Sequence, residues 1–261
     1  MLLKSVALFE PRGLWKRGRL LHAEQASERA IYVKPLHLLL ADRMGVDILS
    51  GVYRPGDTLP TEVQSSSSLA ISRTAYRETI RTLAAKGLVH TRTKRGTRVN
   101  DISQWNILDV DVLRWMFEVE PNAAFVRDLF ELRLITEPAA AEFAAMRRTD
   151  NEIARMSAAL SIMKAETLNS KTGRDADLEF HRVMLASAKN TALASLSNSI
   201  GAAISWSTSY KARHNALDRD SIPDHERVFE AIAKGDQTAA HWAMESLIRL
   251  AQADLEKIKK T

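Results

Sequence analysis

Ser72-Arg73-Thr74-Ala75-Tyr76-Arg77-Glu78-Thr79-Ile80-Arg81-Thr82-Leu83-Ala84-Ala85-Lys86-Gly87, running on through Leu88-Val89-His90-Thr91-Arg92-Thr93-Lys94-Arg95-Gly96-Thr97-Arg98-Val99, is the stretch whose reading decides the fold. Serine before a helical pattern offers its hydroxyl to the unpaired amides of the first turn, and Gly87 supplies the stop, so a helix is expected from Ser72 to about Lys86. Within it Arg73, Arg77 and Arg81 recur every four residues and share one face, while Tyr76, Ile80 and Leu83 form a neighbouring stripe suited to a core. The two short β-prone runs either side of Arg95-Gly96 read as a hairpin.

Upstream, Leu36, Leu39, Leu40, Met44 and Ile48 recur at helical spacing before Gly51, which predicts a first helix over residues 35–49. Tyr53-Arg54-Pro55-Gly56-Asp57 is turn chemistry, and Thr61 with Gln64 three positions on is a capping box opening a second, short helix. Helix, short helix, capped helix and hairpin in this order make a winged helix-turn-helix, whose third helix enters the major groove of DNA. Residues 71–100 carry eight basic side chains against a single acidic one, Glu78. A solvated amphipathic helix would explain the arginine stripe alone, but not the stripe, the caps and the wing together.

Charge is divided along the chain in the same sense. Residues 1–100 hold seventeen Lys/Arg against eight Asp/Glu, and residues 101–261 hold twenty against twenty-four, so a polyanion-binding surface is expected in the first part. No stretch reaches the ~18 apolar residues of a membrane span, and no signal peptide is read at the start. Absence of cysteine excludes disulfides, thiolate metal sites and cysteine nucleophiles, and fits a cytoplasmic location. Any metal ligands are then His, Asp or Glu.

Beyond residue 107 the pattern is helical almost to the end, with breaks expected at Pro121, Asp150, Gly173, Asn190, Asp218 and Gly235-Asp236. The fold expected is mainly α: a winged helix-turn-helix followed by an antiparallel all-α bundle of six or seven helices. The expected division is a basic extension over residues 1–33 containing Lys16, Arg17 and Arg19, a DNA-binding domain over 34–100, a linker over 101–106, and a helical domain over 107–261.

In the helical part, Arg133 shares a face with Phe125, Val126, Leu129 and Phe130. A buried guanidinium needs an anion: either Glu137 one turn on, or the carboxylate of a ligand. Asp177 and His181 lie four apart on the face of Met184, Leu185 and Ala188, and His225 shares a face with Val228, Phe229 and Ile232. Polar groups aimed into an apolar core are either satisfied core residues or a site.

The run Gly51-Val52-Tyr53-Arg54-Pro55-Gly56-Asp57-Thr58-Leu59-Pro60-Thr61-Glu62, with Ser72-Arg73-Thr74-Ala75-Tyr76-Arg77-Glu78, Leu83-Ala84-Ala85-Lys86-Gly87-Leu88-Val89 and Arg95-Gly96, resembles the GntR superfamily of bacterial transcriptional regulators. The resemblance implies that Ser72, Arg73, Thr74 and Arg77 face the major groove and its phosphates, and that Gly96, with Arg95 beside it, is the wing tip entering the minor groove. One departure is the run Ser65 to Ser68, where the family carries an apolar residue early in the second helix. Serines there are poor helix formers and fill no core.

Glu131-Leu132-Arg133-x-x-x-Glu137-Pro138, Asp177-x-x-Phe180-His181, Asn190, His225 and Gly235-Asp236 resemble the FadR branch of that superfamily, with its FCD ligand-binding domain. This implies that Arg133, Asp177, His181 and His225 form an effector site. In metal-binding members an Asp and three His hold the ion, so Asp177, His181 and His225 are candidate ligands for a divalent metal such as zinc. The set is incomplete, because Leu247 stands at the fourth position. The same residues gripping an acid directly is the other reading. Gln104-Trp105-Asn106-Ile107-Leu108-Asp109, with Asp111, Val112, Leu113 and Trp115, is similar to sugar-acid repressors of the D-galactonate operon type, which implies an aldonate or related acid as effector. A homodimeric repressor bound to double-stranded operator DNA is the expectation. A metal-dependent hydrolytic enzyme built on Asp177, His181 and His225 is the alternative, but no nucleophile motif or phosphate-binding glycine loop accompanies them.

Overall fold

A computed structural model describes residues 34–64, 71–93, 95–119, 122–214 and 219–258. The expected basic extension, the Ser65 to Ser68 run, Pro121 and Asp218 lie outside the described residues.

Helix α1 (Leu36–Leu49) and helix α2 (Arg73–Ala85) pack on each other and on a two-stranded antiparallel sheet of β1 (Val89–Arg92) and β2 (Gly96–Val99). The Ser72 hydroxyl accepts from the Ala75 amide at 3.1 Å, as its position at the helix start predicted. Gly87 follows the last turn at φ +73°, a left-handed conformation that costs a residue with a Cβ about 1–2 kcal/mol. A Cβ there would also stand 2.2 Å from the Gln104 carbonyl oxygen, so only glycine fits. The capping box forms too: the Thr61 amide donates to Gln64 Oε1 at 2.8 Å, at the start of the helical turn over residues 62–64.

The inward face of α2 differs from the expectation in one residue. Tyr76, Thr79 and Leu83 are buried, whereas Ile80 is only half-buried. Thr79 tolerates full burial because its hydroxyl lies 3.0 Å from both the Ala75 and the His37 carbonyl oxygens, so it has an acceptor for its proton. A polar residue satisfied in this way is invisible to a reading based on hydrophobic spacing.

Helix α3 (Val110–Glu118) begins with Asp109, whose carboxylate accepts from the Asp111 and Val112 amides. One side of α3 completes the core of the winged helix with Val112 and Trp115, and the other buries Leu113 against Phe125, Leu129 and Ala203. The contact with α1 is close. A Cβ on Gly45 would stand 2.4 Å from the Trp115 ring, and the Trp115 indole N–H donates to Asp42 at 3.0 Å. Arg114 also reaches Asp42, at 2.5 Å, and Lys86, just past the end of α2, bonds to Asp109 at 2.7 Å and Asp111 at 2.8 Å.

The remainder is helical: α4 (Ala123–Arg147), α5 (Asp150–Glu166), α6 (Lys171–Ser187), the short α7 (Thr191–Ser195), α8 (Ser197–Arg213), α9 (Ile222–Lys234) and α10 (Gln237–Ile258). Thr149 and Glu152 form a capping box that starts α5, and Gly235 ends α9 at φ +77°. Gly173 lies inside α6 rather than at a break, because Ser170 caps that helix by accepting from the Gly173 amide. The bundle core gathers Met156, Met163, Phe180, Met184, Ile232, Met244 and Ile248. Helix α8 ties the bundle to the junction. The Ser199 hydroxyl donates to the Leu108 carbonyl at 2.6 Å, and the Phe117 and Trp206 rings stack at 4.8 Å. No described helix is long and apolar enough to cross a membrane.

Candidate nucleic-acid interface and effector cavity

Arg73, Thr74 and Arg77 are exposed along α2, and Arg95 and Gly96 are exposed where the hairpin turns. Ser72 spends its hydroxyl on the helix cap. Two of the arginines meet a carboxylate: Arg77 Nε lies 2.8 Å from Glu62, and Arg73 Nε lies 3.9 Å from the same residue. Arg81 pairs with Glu78 at 2.6 Å. Exposed pairs of this kind contribute little stability, about 0–1 kcal/mol, so a phosphate or base edge can replace the carboxylate at small cost.

The second set of residues is brought together from three helices. Arg133 comes from α4, Asp177 and His181 from α6, and His225 from α9, and all four side chains are buried. Thr208 and Lys211 of α8, Leu247 of α10 and Ser221 complete the lining. The cavity is tight, with a volume of only about 20 Å³. An effector larger than an ion must therefore spread the helices around it.

A carboxylate organises the cluster. Glu137 is fully buried and takes Arg133 Nε at 2.6 Å and His181 Nδ1 at 2.7 Å. Of the two partners open to Arg133 in the sequence, the internal one is made. Burial pushes the Glu137 pKa upward, but the charges and hydrogen bonds of Arg133 and His181 outweigh it and hold it at about 2. Burial likewise raises Asp177, and its interactions with His225, His181 and Arg133 overcome this and hold it at about 2. Asp177 Oδ2 also accepts from the Thr208 hydroxyl at 3.3 Å.

The imidazoles point their bare nitrogens at one place. His225 Nδ1 faces the Ser221 carbonyl at 2.8 Å, an acceptor, so that nitrogen carries the hydrogen and Nε2 presents a lone pair in the neutral ring. His181 is fixed in the same sense by Glu137. His225 Nε2 then lies 2.9 Å from Asp177 Oδ1, and His181 Nε2 lies 3.7 Å from it. One ligand atom from each of Asp177, His181 and His225 lies within 4.8 Å of the others. Such a knot of lone pairs is stabilised by a cation, and the Nδ1 bonds are what orient metal-bound imidazoles. The donor set therefore fits a divalent ion.

Lys211 and Thr208 were not among the sequence candidates. Their signal lies in α8, where Ile200, Ile204, Ser207 and Lys211 recur at inward spacing, so a charged residue falls on a buried face.

Comparison with known proteins matches residues 39–99 to the gntR family of bacterial regulatory proteins and residues 128–250 to the FCD domain. The galactonate operon transcriptional repressor of Escherichia coli K12 is 33% identical over 219 residues, spanning 82% of this chain and 94% of that protein. The Uxu operon transcriptional regulator of the same strain is 29% identical, over 76% of this chain and 77% of its own length. A solved structure titled for Lar, which controls expression of the Listeria monocytogenes agr system, covers 86% of this chain and 98% of its own at a TM-score of 0.60. At 19% identity that structure supports the fold alone.

Because the Glu137 pKa is lowered by folding, its contribution to stability is present above about pH 4.5 and is lost as the pH falls toward 2. Glu137→Gln strands the buried Arg133 guanidinium and is expected to cost about 3–5 kcal/mol at pH 7. In urea denaturation series the gap between wild type and variant should narrow from pH 4.5 downward; a gap independent of pH would show that this carboxylate is not the group lost in acid. Similar proteins of this kind are transcriptional regulators, leaving the hydrolytic alternative without support, and this chain belongs to the gntR family of bacterial regulatory proteins, with an FCD domain as its second part.

Proposed function

We propose that this regulator is a cytoplasmic homodimeric repressor that presents two recognition helices to a two-fold operator, and that a sugar acid of the aldonate class sets its grip. The observation that carries this is the pairing, in one chain, of an exposed arginine helix with a buried polar cavity, joined through α3, which packs on α1 of the winged helix and on α8 of the bundle. The likeness to the galactonate operon transcriptional repressor supports the effector class. Residues 34–100 act as the DNA-binding domain, 101–106 as the linker and 107–261 as the effector and dimerisation domain.

Ser72, Arg73, Thr74 and Arg77 contact the major groove and its phosphates, with Arg73 as the fork suited to guanine O6 and N7. Arg95 and Gly96 approach the minor groove. In the cavity, Arg133, Asp177, His181 and His225 contact the acid. Asp177, His181 and His225 hold a divalent metal, which when bound supplies a positive centre for the acid's oxygens. With Leu247 in place of a fourth ligand, affinity for the ion is lower and coordination positions stay open.

Spreading the tight cavity moves α8. Its contacts with Leu108 and Phe117 pass that movement to α3, whose Asp109 and Asp111 hold the end of α2 through Lys86. A ligand shifts such an equilibrium only by binding the two states unequally, typically with ~1–3 kcal/mol of coupling. Operator DNA must then change the affinity for D-galactonate by the same factor, about 5–150-fold. Calorimetric titration of D-galactonate with and without operator duplex tests this, and identical affinities would remove the coupling.

Arg73→Ala should weaken binding to the operator at least ~10-fold more than binding to random duplex, as read by fluorescence anisotropy at fixed salt. Equal losses on both duplexes would reduce Arg73 to a phosphate contact.

Dialysis against a chelator should lower the melting temperature of wild type and leave Asp177→Ala unmoved. Wild-type protein that carries no metal by mass spectrometry and melts identically after dialysis would leave the acid held by side chains alone.

A further inference from the structure

Among the described residues, Lys211 is the cation of the cavity left without a counterion in contact. Its residue is 6% exposed, it lines the space shared by Arg133, Asp177, His181 and His225, and among the described residues it makes no hydrogen bond or ion pair. Every other charged group around it is engaged. Arg133 is neutralised by Glu137 in direct contact. Asp177 faces both imidazoles and Thr208, and Asp254 is taken by Arg219 Nε at 3.0 Å. Arg219 and Arg227 both bond to Asp224.

A largely buried ammonium with no anion in contact is costly, because it gives up much of its water without a replacement. Burial pushes Lys211 below the usual lysine range, and Asp254 and Asp177 offset only part of this from a distance. Inward spacing in α8 makes the placement a feature of the fold rather than of a long side chain lying on the surface, since Ile200, Ile204 and Ser207 on the same face are buried too. An uncompensated positive charge held inside a cavity is a recognition element for an anion.

We propose that Lys211 is an effector-binding residue whose ammonium pairs with the carboxylate of the acid. This rests on the acid-effector reading and refines it. Arg133, its charge already met by Glu137, contributes hydrogen bonds, and net charge recognition falls to Lys211. The cavity then selects carboxylic acids over the neutral polyols and lactones of the same carbon skeleton. It does so because only the acid neutralises the lysine.

The test uses the full-length protein, D-galactonate and the neutral galactitol, with thermal melting and calorimetric titration. Lys211→Met keeps the length of the stem and removes the charge. The unliganded variant should melt at or above the wild-type temperature, because a stranded charge is replaced by an apolar side chain. Its affinity for D-galactonate should fall about tenfold or more. Galactitol should bind neither protein measurably. A lysine with a purely structural role gives the opposite pattern: a lower melting temperature with affinity for D-galactonate unchanged, which overturns the proposal while leaving the acid-effector reading intact. Lys211→Gln decides the matter by the same two readouts if the methionine variant does not fold. Wild-type protein that does not bind D-galactonate overturns both the proposal and the reading beneath it.

Discussion

Glu137 is a carboxylate with no access to water, and the second half of the molecule is arranged around it. It neutralises Arg133 on its own helix and fixes the ring of His181 on α6, so α4 and α6 are joined by charge as well as by apolar packing. Fixing His181 Nδ1 leaves Nε2 facing Asp177, and the Ser221 carbonyl does the same for His225. The cavity thus owes its electron-rich centre to hydrogen bonds made outside it. Arrangements of this kind cost desolvation and return little net stability, so their value lies in geometry rather than in holding the fold.

Helix α3 is the second constraint. Its nine residues supply Val112 and Trp115 to one core and Leu113 to another, and its capping residue Asp109 both starts the helix and anchors Lys86. Recognition helix and effector cavity are therefore separated by one turn-capped segment rather than by a free tether. The exposed arginines, paired loosely with Glu62 and Glu78, are arranged for exchange with another anion, while the buried pairs are arranged to stay as they are.

Much of this was legible in the sequence, because caps and stops act locally. Ser72, Gly87, the Thr61 and Gln64 pair and the hairpin about Gly96 each specify a conformation with neighbours a few residues away. The convergence of Arg133, Asp177, His181 and His225 was legible too, through polar residues at inward positions and the family likeness. What spacing alone missed depends on long-range partners. Thr79 is buried because the His37 carbonyl lies against it, and Gly173 stays helical because Ser170 caps it. Lys211 was overlooked for another reason: lysine is read as surface by default, and only its register with Ile200 and Ile204 betrays it.

Gly45 and Trp115 meet so closely that not even a methyl group fits between α1 and α3. Joints with slack absorb displacement as rattling side chains, whereas an interlocked joint behaves as a rigid lever. A tilt of α3 therefore has no loose side chain at this joint to take it up, and α1 has to follow.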